Sequence, residues 1–147
     1  MNDLELLNRA ISESDKGRCS RRKIACVITD KNGEILCYGY NGPPAPMESC
    51  LVNPCPGANV APGQGATEIV ECYGIHSEIA AIIELGKRGL LNKAHAIYCN
   101  KAPCRNCVPA LIATPIKKIV FRIMSRETIN RDLWLSAGRE WKEIGES

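Results

Sequence analysis

The chain is short of aromatic residues, of histidine and of long apolar runs, and each shortage removes a class of function. One Phe, two Trp and four Tyr among 147 residues are too few to lay a stacking track for single-stranded nucleic acid. The 19 basic and 16 acidic residues leave a net charge of only +3. That suits an anionic small molecule or a plain soluble surface, and no Lys/Arg stripe of a nucleic-acid binder is present. No stretch reaches the roughly 18 apolar residues of a transmembrane helix, so no membrane partner is expected. Met1-Asn2-Asp3-Leu4-Glu5 has neither the basic start nor the apolar run of a signal peptide, so a cytoplasmic protein is expected. Internal repeats and low-complexity tracts are also missing.

What the chain does have is cysteine. Nine are many for this length, but an odd count in a reducing compartment argues for metal ligands and small buried residues over a disulfide framework. With 45% hydrophobic residues, one domain spanning 1–147 can bury a core without such staples.

Leu4, Leu7 and Ile11, with Leu6 and Ala10 beside them, recur at helical spacing and predict a first helix ending near Lys16-Gly17. Two β-rich runs, 24–29 and 35–40, flank the turn Asp30-Lys31-Asn32-Gly33 and predict a hairpin. From Asn41 to Tyr73 six prolines and several glycines predict a long loop, which needs a function or an external tie. Ile79, Ile82 and Ile83 restart the helical period, putting His76 and Glu78 in the first turn of a helix that runs to Gly86 or Gly89. A strand over 96–99, a helix over 104–112, a strand over 118–121, a helix over 128–137 and a strand over 141–144 complete the order α-ββ-α-β-α-β-α-β. The expected fold is a three-layer α/β/α domain with a mixed five-stranded sheet. Its first two strands are antiparallel, and its last two are parallel because a helix crosses between them.

His76-Ser77-Glu78 and Pro103-Cys104-Arg105-Asn106-Cys107 carry the chemistry. Alone, the first can be a solvated pair, and the second can be redox-active or structural. Together, at two predicted helix starts, they supply His76, Cys104 and Cys107 as the three protein ligands of a catalytic zinc that keeps its fourth position for water. Bound zinc lowers the pKa of water toward about 7. Glu78 is then left over as a base, free to carry a proton to a ring nitrogen and later to a departing amine.

H-x-E followed by P-C-x-x-C is a pattern shared by zinc nucleobase deaminases. The chain resembles the deoxycytidylate deaminase family of the cytidine deaminase superfamily over most of its length. The likeness includes Cys19 to Ile28, similar to that family's C-x-R-x-x-V-G-A segment, and the turn Gly39-Tyr40-Asn41-Gly42. Three positions depart from the family pattern. Ser77 stands where alanine is usual, Ala80 where asparagine is usual, and Ala25 where glycine is usual. The resemblance implies the cytidine deaminase-like fold, a small-molecule nucleotide substrate and a homo-oligomer, hexameric in parts of the family. It also implies that Asn41 hydrogen-bonds the sugar or base, the alternative being a turn residue at positive φ.

Cys19, Cys50, Cys55 and Cys72 fall in loops or at element edges, where burial as small hydrophobes explains them poorly. A second, structural zinc would tie Cys19 to three points of the proline-rich loop, and a similar second zinc is known among deoxycytidylate deaminases. The alternative is that some are free thiols. Cys26, Cys37 and Cys99 fall within predicted strands and read as small buried residues. A 5′-phosphate needs cationic donors, and from the cluster Arg18, Arg21, Arg22 and Lys23 the choice is Arg21. The expected reaction is deamination of a deoxycytidine nucleotide, dCMP to dUMP plus ammonia. The alternatives are a modified cytosine nucleotide, a polynucleotide base, or an inactive zinc-stabilised binding module.

Overall fold

The computed structural model describes residues 1–20, 22–54, 73–124 and 128–145. Its elements are α1 (Asp3–Glu13), β1 (Ala25–Thr29), β2 (Ile35–Tyr40), α2 (Ser77–Arg88), β3 (Ala96–Lys101), α3 (Cys107–Ile112), β4 (Lys118–Ile123), α4 (Ile129–Ser136) and β5 (Glu140–Glu143). Among the described residues they form one five-stranded sheet in the order β2-β1-β3-β4-β5. The β1–β2 and β1–β3 pairs are antiparallel, and β3–β4 and β4–β5 are parallel. The mixed sheet and its parallel final pair are those expected from a hairpin between β1 and β2 and a helix between β4 and β5.

Local chemistry accounts for the boundaries. Asn2 caps α1 by accepting from the Glu5 amide at 2.9 Å. The Asp30 carboxylate accepts from the Asn32 and Glu34 amides and closes the hairpin, with Gly33 at φ 81°. Gly89 ends α2 at φ 69°, its amide bonded back to the carbonyls of Leu85 and Gly86.

The sheet is covered on both faces. Leu6, Leu7 and Ala10 of α1 pack on Val27, Tyr98 and Val120. Ala81 and Leu85 of α2, Val108 and Leu111 of α3 and Trp134 of α4 pack on Cys26, Ile28, Ile97, Cys99, Ile119 and Phe121. Burial on both faces is why β1 reads as an unbroken apolar run with no alternation. Two helical stripes run differently from the apolar pattern. Leu4 is half-exposed while Leu6 and Leu7 are buried, and Ile83 is half-exposed while α2 turns Glu78, Ala81 and Leu85 inward. The reason lies in α2's closeness to β2, which favours its smallest side chains. Trp134 is fully buried and Trp141 meets Phe121 edge-on at 4.9 Å. No helix among the described residues is long and apolar enough to cross a membrane.

Candidate metal centre and active site

The site is built where α2 descends onto the end of β2. An isolated antiparallel bridge joins Gly42 to Ile75, with reciprocal bonds of 3.0 and 2.9 Å. This delivers the chain to His76, which lies outside the first helical turn. It is the N-cap, in extended backbone at φ −75°, ψ 153°, and its carbonyl accepts from the Ala80 amide at 3.0 Å. Glu78 follows in the first turn.

Two glycines of the G-Y-N-G turn make this approach possible. A Cβ on Gly39 would stand 2.1 Å from the Ser77 carbonyl oxygen and 2.8 Å from the Ala81 Cβ, so any larger residue would push α2 off the sheet. Gly42 has φ +122° and would press a Cβ to 2.5 Å from the Arg18 backbone.

On the other side of the site, helix α3 begins at Cys107, later than expected, and Cys104 sits in the turn before it. The Cys104 carbonyl accepts from the amides of both Cys107 and Val108, each at 3.0 Å. A helix of six residues has little cohesion of its own. Arg139 supplies it from outside: its Nη1 donates to the carbonyls of Leu111, Thr114 and Ile116 and its Nη2 to that of Ile112. The same guanidinium lies 5.1 Å over the Trp134 ring.

These elements bring the three expected ligands together. His76 Nδ1 is 3.2 Å from Cys104 Sγ and 3.2 Å from Cys107 Sγ, and the two sulfurs are 3.8 Å apart. With zinc bonds of about 2.3 Å to sulfur and about 2.1 Å to nitrogen, the edges of a tetrahedron measure about 3.6–3.8 Å. One nitrogen and two sulfurs at these spacings fit a single zinc ion with little movement. Among the described residues they are the one group of three or more His, Cys, Asp or Glu that converges in this way.

The electrostatics favour thiolate at Cys104 and thiol at Cys107. A hydrogen bond from the Cys107 thiol, opposed by burial and assisted by His76, holds the Cys104 thiol down to about 3. Cys107 is pushed up correspondingly by sharing that bond with Cys104 and by burial. The bond to Cys104 also raises the His76 pKa.

Glu78 is 4% exposed. Burial raises its pKa, against the lowering effect of a hydrogen bond from Ser77, whose hydroxyl donates to Oε1 at 2.6 Å. Ser77 is itself buried, and its carbonyl accepts from the Cys26 thiol at 3.3 Å. The site therefore holds a carboxylate with one oxygen tethered, next to three ligand atoms. A closed structural zinc site has no use for such a group.

The other expected site residues lie differently. Asn41 is not at positive φ, which among the described residues only glycines adopt. Its Oδ1 accepts from the Ile24 amide at 2.8 Å and its Nδ2 donates to the Arg22 carbonyl at 2.9 Å. Cys19 is half-buried and Cys50 buried. The Cys50 amide donates to the Arg18 carbonyl at 2.9 Å, so the two cysteines stand on adjoining segments. Arg21, Cys55 and Cys72 lie outside the described residues. Cys26, Cys37 and Cys99 are buried in strands, as expected. Sequence reasoning missed the tether from Ser77, for which the only signal was its departure from alanine. It also missed Asn100 and Arg139, which act across 75 and 28 positions and left no local signal.

Comparison with known proteins agrees with this geometry. Residues 1–123 match the family model described as the cytidine and deoxycytidylate deaminase zinc-binding region. Deoxycytidylate deaminase of Saccharomyces cerevisiae is 26% identical over 119 residues, covering 81% of this chain and 36% of that protein. That of enterobacteria phage T4 is 26% identical over 148 residues, covering 79% of this chain and 75% of its own. The chain thus spans about a third of the yeast relative and three quarters of the phage one. In fold it is similar to the dCMP deaminase of cyanophage S-TIM5 in complex with dCMP and dUMP, with a TM-score of 0.72 and 22% identity over 96% of this chain and 95% of that one. Guanine deaminase of Bacillus subtilis shares the fold at a TM-score of 0.55 and 19% identity, over 89% of this chain and 70% of that one. With the family model covering residues 1–123 and the His76, Cys104 and Cys107 triangle inside that span, the chain belongs to the cytidine and deoxycytidylate deaminase family.

Proposed function

We propose that the protein hydrolyses the exocyclic amine of a deoxycytidine nucleotide, converting dCMP and water to dUMP and ammonia. The observation that carries this reading is Glu78, buried and tethered beside the His76, Cys104 and Cys107 triangle. Zinc bound there lowers the pKa of water toward about 7 and so supplies a nucleophile at neutral pH. Glu78 does the proton work. It accepts one proton from the water and delivers it to N3 of the ring as the C4–O bond forms, then takes the second proton from the C4 hydroxyl as the carbonyl forms and passes it to the amine as the C–N bond breaks. Oε1 accepts from Ser77, which fixes the orientation of the carboxylate for that transfer. The cyanophage relative, crystallised with dCMP and dUMP, supports the choice of nucleotide.

The finer assignments belong to the same reading. Asn41 keeps one amide N–H beyond its bond to Arg22 for the sugar or base. Arg21 is the proposed phosphate donor; Arg22, next in sequence, is exposed. A second, structural zinc would be held by Cys19, Cys50, Cys55 and Cys72; the adjoining segments of Cys19 and Cys50 suit that role.

Ammonia release from dCMP, deoxycytidine, a 5-substituted dCMP and a single-stranded oligonucleotide tests the reading. dCMP should be turned over with the highest kcat/KM. Preference for the oligonucleotide, or no release from any of the four by zinc-loaded protein, would overturn it.

A further inference from the structure

The basic stretch leading into β1 is held by two side-chain amides, together with one backbone bond from the Asn41 amide to the Ile24 carbonyl at 3.1 Å. Residues 22–24 lie just ahead of the strand itself. On one side, Asn41 takes the Arg22 carbonyl at 2.9 Å and the Ile24 amide at 2.8 Å. On the other, Asn100 of β3 takes the Lys23 carbonyl with Nδ2 at 3.2 Å and the Ala25 amide with Oδ1 at 3.1 Å. Alternate residues of an extended chain turn their backbone groups to opposite sides. The two asparagines therefore mirror each other, each with one donor and one acceptor on residues two apart. A carboxamide can do this because it carries both functions at one end; a carboxylate or a hydroxymethyl group cannot reproduce the pair.

The clasp bears on the site. Arg22 and Lys23 are exposed, and the Arg22 carbonyl is held by Asn41. The bridge from Gly42 to Ile75 ties Asn41, the opposite jaw, to the residue before His76. Resting on the nucleotide reading above, we propose that Asn100 is a positioning residue for substrate binding. It never touches the substrate, but through the backbone of Lys23 and Ala25 it fixes where Arg22 and Lys23 stand at the rim of the His76 site.

The test combines amide hydrogen exchange with steady-state kinetics on zinc-loaded Asn100→Ala and Asn100→Asp. In Asn100→Ala the Ala25 amide should exchange about tenfold faster, while the Ile24 amide, held by Asn41, and those of Ile97 and Phe121 in the central strands keep their protection. KM for dCMP should rise about fivefold or more with kcat within about twofold and zinc content unchanged, while kcat/KM for deoxycytidine stays put. Asn100→Asp keeps the acceptor for Ala25 but loses the donor to Lys23, so it should retain Ala25 protection and still raise KM. If Asn100→Ala folds poorly, this second variant carries the test. Unchanged exchange at Ala25 in Asn100→Ala, or loss of Ala25 protection in Asn100→Asp, would overturn the clasp. Faster exchange with unchanged KM, or a fall in kcat with loss of zinc, would make Asn100 structural and overturn its role in binding. Failure of the wild type to turn over dCMP would sink the substrate reading, yet the exchange result would still report on the clasp.

Discussion

Two carboxylates on opposite faces of the sheet are held in opposite ways. Glu78, on α2, is buried beside His76 and the two cysteines, and burial drives its pKa up against hydrogen bonds from Ser77 and Cys107. Asp3, on α1, is also partly buried, and burial alone would raise it. Hydrogen bonds from Lys118, Lys142 and Tyr98 outweigh that effect and hold it down to about 2, at distances of 2.7–2.9 Å. Asp3 thereby pins α1 to β3, β4 and β5 as a permanent anion. The same functional group is a fixed tie where cations surround it and a group poised to exchange a proton where they are withheld.

Changing each carboxylate to its amide sharpens the contrast. Glu78→Gln should cut turnover by about 10²–10⁴-fold while keeping fold and zinc, read by ammonia release and metal analysis. A variant that kept its rate would remove Glu78 from the proton path. Next in size is Gly39→Ala, which drives a methyl group into the Ser77 carbonyl. It should destabilise by about 1–3 kcal/mol in denaturant unfolding and disturb the Glu78 side of the molecule before the Asp3 side. Asp3→Asn should leave turnover intact and cost about 1–2 kcal/mol, allowing for a side chain that is 20% exposed. Because folding lowers this pKa from 3.8 to about 2, the stabilisation is present above about pH 4 and fades as pH falls toward 2. The difference between variant and wild type should therefore close over that range in urea titrations. Smallest is Ser77→Ala, which frees Oε1 of Glu78 and should lower kcat about fivefold with KM and zinc unchanged.

The contrast also marks what a sequence discloses. The strand and helix order was legible because each element carries its own period or turn chemistry, as at Asp30 to Gly33 or Gly89. The candidate triangle of His76, Cys104 and Cys107 was legible from the residue types of two short motifs, H-x-E and P-C-x-x-C, which the fold brings together across 28 positions. What escaped depends on pairings between distant segments. Asp3 meets Lys118 and Lys142, Asn100 meets Lys23, and Arg139 meets the end of α3. None of these partners leaves a mark near the other in the chain. Boundaries failed for a related reason. His76 became a cap because the bridge from Gly42 to Ile75 and the close approach across Gly39 set where α2 begins, and Cys104 stands in the turn ahead of α3.

The central claim is that His76, Cys104 and Cys107 hold the zinc on which deamination depends. Zinc content and ammonia release from dCMP, measured together on wild type, Cys104→Ala and Asp3→Asn, test it most directly. The account predicts that Cys104→Ala loses one equivalent of zinc and all measurable turnover while Asp3→Asn keeps both. A Cys104→Ala protein that retained its zinc and released ammonia at the wild-type rate would contradict it.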